Sequence, residues 1–189
     1  MGAHRLEREY DVETVWTTFP LHPEIPEEGL DLKDLFAGRS VDLEGMFARL
    51  RSVAAELELP LAEHRRTYNT RRAQELSKWA QERGAGDAFR AAVYHACFAE
   101  GRNIGKIDEL VAVADRLGLS ADEAREVLVQ GRFGAPVDSD WHRARTLGIR
   151  AVPTLLVSGR RFEGLRPYEE LNALAEQAGI PRRHRPDNP

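Results

Sequence analysis

A nearly unbroken helical pattern between about Val41 and Leu147 constrains the fold of this chain more than any other feature of its sequence. Apolar residues recur there at spacings of three and four, which is typical of amphipathic helices packed around a shared core. Glycines end successive apolar stripes at Gly84, Gly101, Gly118 and Gly148, and glycine readily adopts the left-handed conformation that follows a helix. The pattern predicts an all-helical domain of short helices and tight turns.

One of these helices carries a start signal. The sequence "SADE" at 120–123 predicts a capping box. In this motif the Ser120 hydroxyl accepts from the Glu123 amide while the Glu123 carboxylate reaches back to the Ser120 amide.

Both ends of the chain follow different patterns. A helix is predicted from Gly2 to Tyr10, and the alternating, β-branched and aromatic segment from Val12 to Phe19 predicts a strand. The prolines of "PLHPEIPEEG" predict an extended crossing loop. Near the carboxyl end, "AVPTLLV" and "RFEG" flank the turn "SGR" and predict a hairpin, after which Pro167 begins a helix.

The changes of pattern predict the domain organisation. Residues 1–38 and 149–180 form the two parts of one α/β domain, residues 39–148 form a helical insertion, and residues 181–189 form a flexible tail. We find no internal repeat and no low-complexity tract.

Composition excludes several classes of protein. The 189 residues are 42% hydrophobic and 31% charged, with a net charge of −4, as in soluble globular proteins. The acidic balance argues against a nucleic-acid partner, and no apolar run is long enough for a membrane helix. A cytoplasmic location is expected. The single cysteine, Cys97, has no internal disulfide partner, which suits a reducing compartment.

Four stretches in this order carry a family resemblance: "WTTFPLHPEIPEEG", "YNTRRAQELSKWA", "FRAAVYHACFAEGRNIG" and "AVPTLLVSGRRFEGLRPYEEL". From Gly2 to about Ala178 the chain resembles the DsbA-type thioredoxin-fold proteins. It is most similar to their cytoplasmic FrnE-like branch, near the 2-hydroxychromene-2-carboxylate isomerases and kappa-class glutathione transferases. The resemblance implies an α/β, thioredoxin-like fold with an inserted all-helical domain.

Members of that family begin with a strand that leads into a Cys-Pro-Trp-Cys type motif at the start of the first helix. Here Met1 stands where the residue before Gly2 would be, so the leading β-strand and the cysteine pair are expected to be missing from this chain. Three explanations stay open. The start was assigned inside a longer reading frame, or the short chain forms a homodimer that covers its exposed edges, or the protein is a degenerate, non-catalytic binding protein.

The resemblance also implies site residues. "AVPT" matches the family's cis-proline loop, so the Val152–Pro153 bond is predicted to be cis, and both residues are predicted to bind substrate. Asn69 matches an asparagine that recurs in the family and is predicted to face the same cleft. No catalytic residue is predicted in this chain. Cys97 cannot take the place of the cysteine pair, because it lies on an apolar helix face and is predicted to be a core thiol. The scattered histidines predict no metal site.

Two interpretations of the basic stretch from His64 to Arg72 stay open: a binding site for an anion such as a glutathione carboxylate, or a solvated loop. The resemblance implies a disulfide oxidoreductase or isomerase that acts on a protein or small-molecule thiol or disulfide. The present chain is expected to be inactive, with no cofactor except glutathione as a co-substrate. The alternatives are a glutathione-dependent isomerase or transferase, with serine replacing the first cysteine, and a non-catalytic binding module.

Overall fold

The computed structural model describes residues 2–63 and 65–183. Helices dominate this part of the chain, and its strands form two small antiparallel pairs. In chain order the elements are α1 (Gly2–Glu9), β1 (Leu30–Asp31), α2 (Leu32–Leu35), α3 (Leu43–Glu56), β2 (Arg66–Thr67), α4 (Arg71–Glu82), α5 (Gly86–Tyr94), α6 (Ile107–Arg116), α7 (Ala121–Gln130), α8 (Gly134–Thr146), β3 (Thr154–Val157), β4 (Arg160–Glu163) and α9 (Tyr168–Gln177). A π-helical turn, His95–Ala99, directly continues α5.

The chain divides into two compact units, which we call the helical unit (22–139) and the terminal unit (1–21 with 140–189). The sequence predicts a helical insertion at 39–148. The observed helical unit, 22–139, begins and ends earlier than this predicted range. Segment 22–38 belongs with the helices because β1 pairs with β2, with Leu30 opposite Thr67. The Ile25 side chain is also buried.

One glycine fixes the approach to β1. Gly29 has a φ of +82°, and a Cβ atom at this position would collide with the ring of Tyr68 and the carbonyl oxygen of Thr67. Only glycine combines this backbone conformation with so close a neighbour.

The core of the helical unit lies among α4, α5, α6 and α7. These helices supply large side chains that are almost completely removed from solvent: Leu76, Trp79, Phe89, Leu110, Val113 and Val127. Each lies on an apolar stripe of its helix, at the spacings that predict amphipathic helices from the sequence. The helices of this unit thus share one continuous apolar core.

The start of α7 confirms half of the predicted capping box. The Ser120 hydroxyl accepts a hydrogen bond from the Glu123 amide at 3.2 Å. The prediction of the reciprocal bond, from Glu123 back to the Ser120 amide, is wrong. The Glu123 carboxylate instead forms an ion pair with Arg83 at the end of α4. A charged partner on a neighbouring helix competes successfully with a neutral backbone amide.

The terminal unit joins the first and last helices of the chain. The Tyr168 hydroxyl donates to Glu9 at 2.6 Å, and the buried Tyr10 hydroxyl donates to Asn172 at 2.8 Å. Tyr10 also forms an isolated antiparallel bridge with Arg182. Residues 181–183, assigned by the sequence to a flexible tail, are therefore bonded to the end of α1. Residues 184–189 of that predicted tail lie outside the described residues.

The predicted strand from Val12 to Phe19 is wrong, because this segment is in no strand of the structure. A strand exists only where a neighbour accepts its hydrogen bonds, and here side chains take that place. The Thr14 amide donates to Glu7 at 2.9 Å, and the Thr18 amide donates to Asp140 on α8 at 2.8 Å. The sequence pattern records β propensity but not the presence of a partner.

Candidate functional site

The hairpin of the terminal unit provides the framework of the candidate site. β3 and β4 are antiparallel, with Thr154 opposite Glu163 and Val157 opposite Arg160. Ser158 and Gly159 connect them, and both have a positive φ, of 48° and 74°. Two consecutive residues with positive φ form a type I′ turn, which matches the twist of a two-stranded ribbon. The hairpin predicted from "TLLVSGRRFE" is confirmed.

A short loop leads into this hairpin. The Val152–Pro153 peptide bond is cis, and both residues are exposed. The Pro153 carbonyl oxygen accepts from the Gly164 amide at 2.8 Å, and the Thr154 hydroxyl donates to the Ala151 carbonyl at 2.6 Å. These two bonds hold the loop against the end of the hairpin.

The backbone of Val152 is unused within the loop. Among residues 2–63 and 65–183, no hydrogen bond involves the amide or the carbonyl oxygen of Val152, and its side chain is 48% exposed. Beyond it, β3 pairs with β4 on one edge only within the described part of the chain. An unpaired backbone donor and acceptor in an exposed residue, next to an open strand edge, can pair with an extended peptide.

The hairpin is tied to the end of α8. Arg161 on β4 donates from one terminal nitrogen to the carbonyl oxygens of Leu147 and Gly148, at 3.1 and 2.7 Å. These carbonyls follow the last turn of α8, where helix acceptors lack an internal partner. The guanidinium therefore caps the helix and fixes the position of the hairpin. Nothing in the sequence indicates this role for Arg161.

Charged and phenolic groups join α1 to α9. The hydroxyl of Tyr168 and the guanidinium of Arg5 lower the pKa of the Glu9 carboxyl. Arg182 and the Tyr10 hydroxyl lower the pKa of Glu176. Burial, and then Glu176, raise the pKa of Tyr10. Each carboxylate accepts hydrogen bonds in its charged form, so this cluster stabilises the helix pair.

Asn69 lies in the helical unit and has a structural environment. Its side-chain amide donates to the carbonyl oxygens of Pro23 and Ile25, at 3.1 and 2.7 Å. Its side-chain oxygen accepts from the Arg71 amide at 2.9 Å, in the first turn of α4. Asn69 thus connects the crossing loop to a helix start. Its predicted contact with substrate stays a prediction.

The basic stretch near Asn69 uses its charges inside the helical unit. Arg71 bonds Glu75 and Asp138 at 2.6 and 2.5 Å, and Arg72 pairs with Glu27. Arg66 donates to the carbonyl oxygens of Glu28 and Gly29, and Arg65 pairs with Glu63. These partners favour a structural role for the arginines over an anion site. His64, the first residue of the stretch, lies outside the described residues.

The single cysteine is a core thiol, as predicted. Cys97 is buried in the π-helical turn after α5, among the apolar side chains of the helical unit. Burial raises its pKa to about 11. Thiol–disulfide exchange requires a thiolate, so this environment suppresses the reactive form.

Within residues 2–63 and 65–183, no cluster of three or more His, Cys, Asp or Glu side chains could hold a metal ion. None of the helices described has the length and apolarity required to cross a bilayer.

Comparison with known proteins identifies the family. The family model described as "DSBA-like thioredoxin domain" matches residues 2–176 of the chain. The chain belongs to the DSBA-like thioredoxin domain family. The predicted resemblance is confirmed at that level, and so is the α/β thioredoxin fold with a helical insertion.

Solved structures agree with this assignment. A probable DsbA oxidoreductase from Streptomyces coelicolor is 28% identical, with a TM-score of 0.80 over 89% of this chain and 76% of its own. A 2-hydroxychromene-2-carboxylate isomerase is 21% identical, with a TM-score of 0.62 over 82% of this chain and 77% of its own, and it shares the fold. No curated protein matches the chain.

The DsbA-like chain places its predicted site residues in two different units. Val152 and Pro153 are adjacent in the terminal unit, and Asn69 lies in the helical unit. Sequence reasoning identified the loop but missed Arg161, which fixes the hairpin, and Asp140, which accepts from the Thr18 amide. Neither residue carries a local signal, because their partners are distant in sequence.

Proposed function

We propose that this DsbA-like protein acts in thiol–disulfide exchange on protein substrates, as a member of the FrnE-like branch. The loop at Val152 and Pro153 receives an extended segment of the substrate. The observation that supports this proposal best is the backbone of Val152, which bonds to none of the described residues and precedes a strand edge that is open among those residues. A cytoplasmic location and the use of glutathione as a co-substrate are parts of the same proposal.

The present residues supply the binding part of this chemistry and not its thiols. Exchange needs a thiolate that attacks a disulfide and a second thiol that resolves the mixed disulfide. The chain has one cysteine, and burial gives that cysteine a pKa of about 11. We therefore propose that the 189 residues alone bind substrate without turning it over.

The first experiment measures the chain as it is. We expect insulin reduction by dithiothreitol to proceed at the same rate with and without the protein. We also expect Cys97 to react with a disulfide reagent at pH 8 about a hundredfold more slowly than an unperturbed thiol of pKa 9.0. Insulin reduction that disappears in Cys97→Ala would contradict the assignment of Cys97 as an inert thiol.

The second experiment supplies the missing chemistry. The chain is extended ahead of Gly2 by a strand of about six β-branched residues and the sequence Cys-Pro-Trp-Cys-Val. If the loop receives substrate, this extended chain should accelerate insulin reduction, and a matched extension with Ser-Pro-Trp-Ser should not. An extended chain that is folded by circular dichroism and forms its disulfide but does not reduce insulin would contradict the proposal.

The role of the loop is tested in the same extended chain. Val152→Pro removes the backbone donor, whereas Val152→Ala retains it. We expect insulin reduction to fall by roughly three- to tenfold for the proline variant, as for one lost hydrogen bond, and to change little for the alanine variant. Equal rates for the two variants would contradict substrate pairing at this position.

The glutathione-dependent isomerase or transferase predicts a different outcome. In that case the extension with serine in place of the first cysteine would be the active one. It would bind glutathione in a calorimetric titration, and insulin would be left unreduced. A non-catalytic binding module would instead retain peptide binding and gain no turnover from either extension.

A further inference from the structure

Helix α3 of the helical unit carries an apolar stripe that is largely exposed. Its members are Leu43, Met46, Phe47, Leu50, Val53, Ala54 and Leu57. Among them only Ala54 is buried, whereas Met46, Leu50 and Val53 are 40%, 43% and 37% exposed. A helix with its apolar residues on one face normally packs that face against a partner, and a contiguous exposed patch of this kind marks an interaction surface.

The charges beside the stripe are arranged in a regular way. At 100° per residue, Asp42 and Arg49 lie along one side of the stripe, and Glu44 and Arg51 lie along the other. On each side the acidic residue precedes the basic residue by seven positions. In the described part of the chain, Arg49 and Arg51 form no ion pair, although most other arginines of the helical unit do.

We propose that a second copy of this chain covers the stripe, with the two α3 helices packed antiparallel about a two-fold axis. The axis passes between Met46 and Phe47. In this register Met46 contacts Phe47 of the second copy, and Leu43 contacts Leu50 of the second copy. A two-fold axis repeats every contact, so one self-complementary stripe is sufficient.

The charge pattern selects this arrangement over its competitors. The antiparallel register brings Asp42 near Arg49 of the second copy, and Glu44 near Arg51 of the second copy, on both sides of the stripe. A parallel pairing would bring Arg49 near Arg51 of the second copy and Asp42 near Glu44 of the second copy, and like charges in apposition disfavour association. An antiparallel pairing centred on Leu50 would bring Arg49 near Arg49 of the second copy and Arg51 near Arg51 of the second copy, again with like charges.

This interface does not depend on the proposed function, because α3 belongs to the helical unit and the candidate loop belongs to the terminal unit. Failure of one proposal leaves the other standing.

The first test measures molar mass by light scattering during gel filtration at micromolar concentration. We expect the chain to have twice the mass of one copy. Met46→Glu, at the centre of the interface, should weaken association at least about tenfold. Ala48→Glu, an equal change on the opposite face of α3, should leave the dimer intact. A monomeric wild-type chain, or equal effects of the two variants, would overturn the proposal.

The second test exchanges charges across the interface. Arg51→Glu places two acidic groups together and should shift the chain toward monomer. The double variant Glu44→Arg with Arg51→Glu exchanges both charges and should restore the dimer. Glu44 and Arg51 are two helical turns apart in one chain and do not contact each other there. If Arg51→Glu acted only within one chain, the second substitution would therefore not restore the dimer. Absence of rescue in a folded double variant would overturn the antiparallel register.

The third test determines the register by cross-linking in a Cys97→Ala background. Leu43→Cys combined with Leu50→Cys should give a disulfide-linked dimer on mild oxidation. Leu50→Cys alone should not, because the two Leu50 positions lie roughly 10 Å apart along the helix axes. Efficient cross-linking of the single variant would indicate a parallel pair and overturn the proposal. A monomer with α3 amides protected from hydrogen exchange would show that a segment of the same chain covers the stripe. This result would also overturn the proposal.

Discussion

The helical unit and the terminal unit bury apolar surface to different extents. Large side chains such as Trp79, Phe89 and Leu110 are fully buried in the helical unit, within one continuous cluster. Among the described residues of the terminal unit, the buried apolar side chains are Tyr10, Ala144 and Ala175. The first unit is held by a core and the second by hydrogen bonds and ion pairs between its ends.

The difference follows from how each kind of backbone satisfies its hydrogen bonds. A helix pairs its amides and carbonyls internally, so a group of helices needs only an apolar face to pack. A strand needs a neighbouring strand, and here β3 and β4 have one neighbour each within the described residues. The unit with the hairpin therefore leaves backbone groups open, and those groups form the candidate site.

The largest effect should come from the core of the helical unit. Phe89→Ala removes a fully buried ring and should lower the free energy of unfolding by about 3 to 5 kcal/mol. Urea denaturation followed by far-ultraviolet circular dichroism measures it. Val129→Ala serves as the control, since Val129 is 70% exposed and its loss should cost less than about 0.5 kcal/mol. Similar costs for the two variants would break the comparison between the units.

Asn69 should have the next largest effect, and it separates a structural role from a substrate contact. Asn69→Ala removes the bonds to Pro23, Ile25 and Arg71 and should destabilise the helical unit by about 1 to 3 kcal/mol. Asn69→Asp keeps the acceptor for the Arg71 amide and should lose only the two donated bonds. If Asn69→Ala retained full stability, Asn69 would not connect the crossing loop to α4.

A smaller effect is expected at the start of α7. Ser120→Ala removes the hydroxyl that accepts from the Glu123 amide and should cost about 1 kcal/mol in the same urea experiment. Ser120→Asp keeps an acceptor at the helix start and should restore most of this loss. The reverse order of the two variants would show that the cap is not the source of stability.

The smallest of these effects should come from acidification, which we expect to destabilise the terminal unit more than the helical unit. The pKa values of Glu176 and Glu9 are lowered from the ordinary 4.5 in the folded terminal unit. Their contribution is present above the unfolded pKa and is lost as the pH falls through the lower folded pKa. Hydrogen exchange of α9 peptides should therefore accelerate relative to α6 peptides as the pH falls below the ordinary carboxyl pKa of 4.5, after correction for intrinsic exchange rates.

Glu176→Gln is the matched variant for the acid experiment. It removes the titrating group and should flatten the extra pH dependence of α9 without affecting α6. A wild-type chain in which both helices respond alike would contradict an electrostatic origin of terminal-unit stability.

The candidate site could be predicted only in part. The turn "SGR" identified the hairpin, because glycine acts through its own backbone, whereas the family resemblance identified the "AVPT" loop. Arg161 and Asp140 were missed, because each acts on a group more than ten residues away. The Val12 to Phe19 segment was misassigned for a related reason, since its amides bond to side chains of Glu7 and Asp140.

The sequence by itself determined most of the helices, the glycines that end several of them, the hairpin and the core thiol, because these depend on spacing and backbone preference within a few residues. Only the tertiary structure decided that Glu123 pairs with Arg83 instead of its own cap, and that segment 22–38 joins the helical unit. It also decided that the amide and carbonyl of Val152 bond to no other residue in the described part of the chain. Each of these outcomes is a competition between partners distant in the chain, and it is settled only when the chain has folded and brought them together.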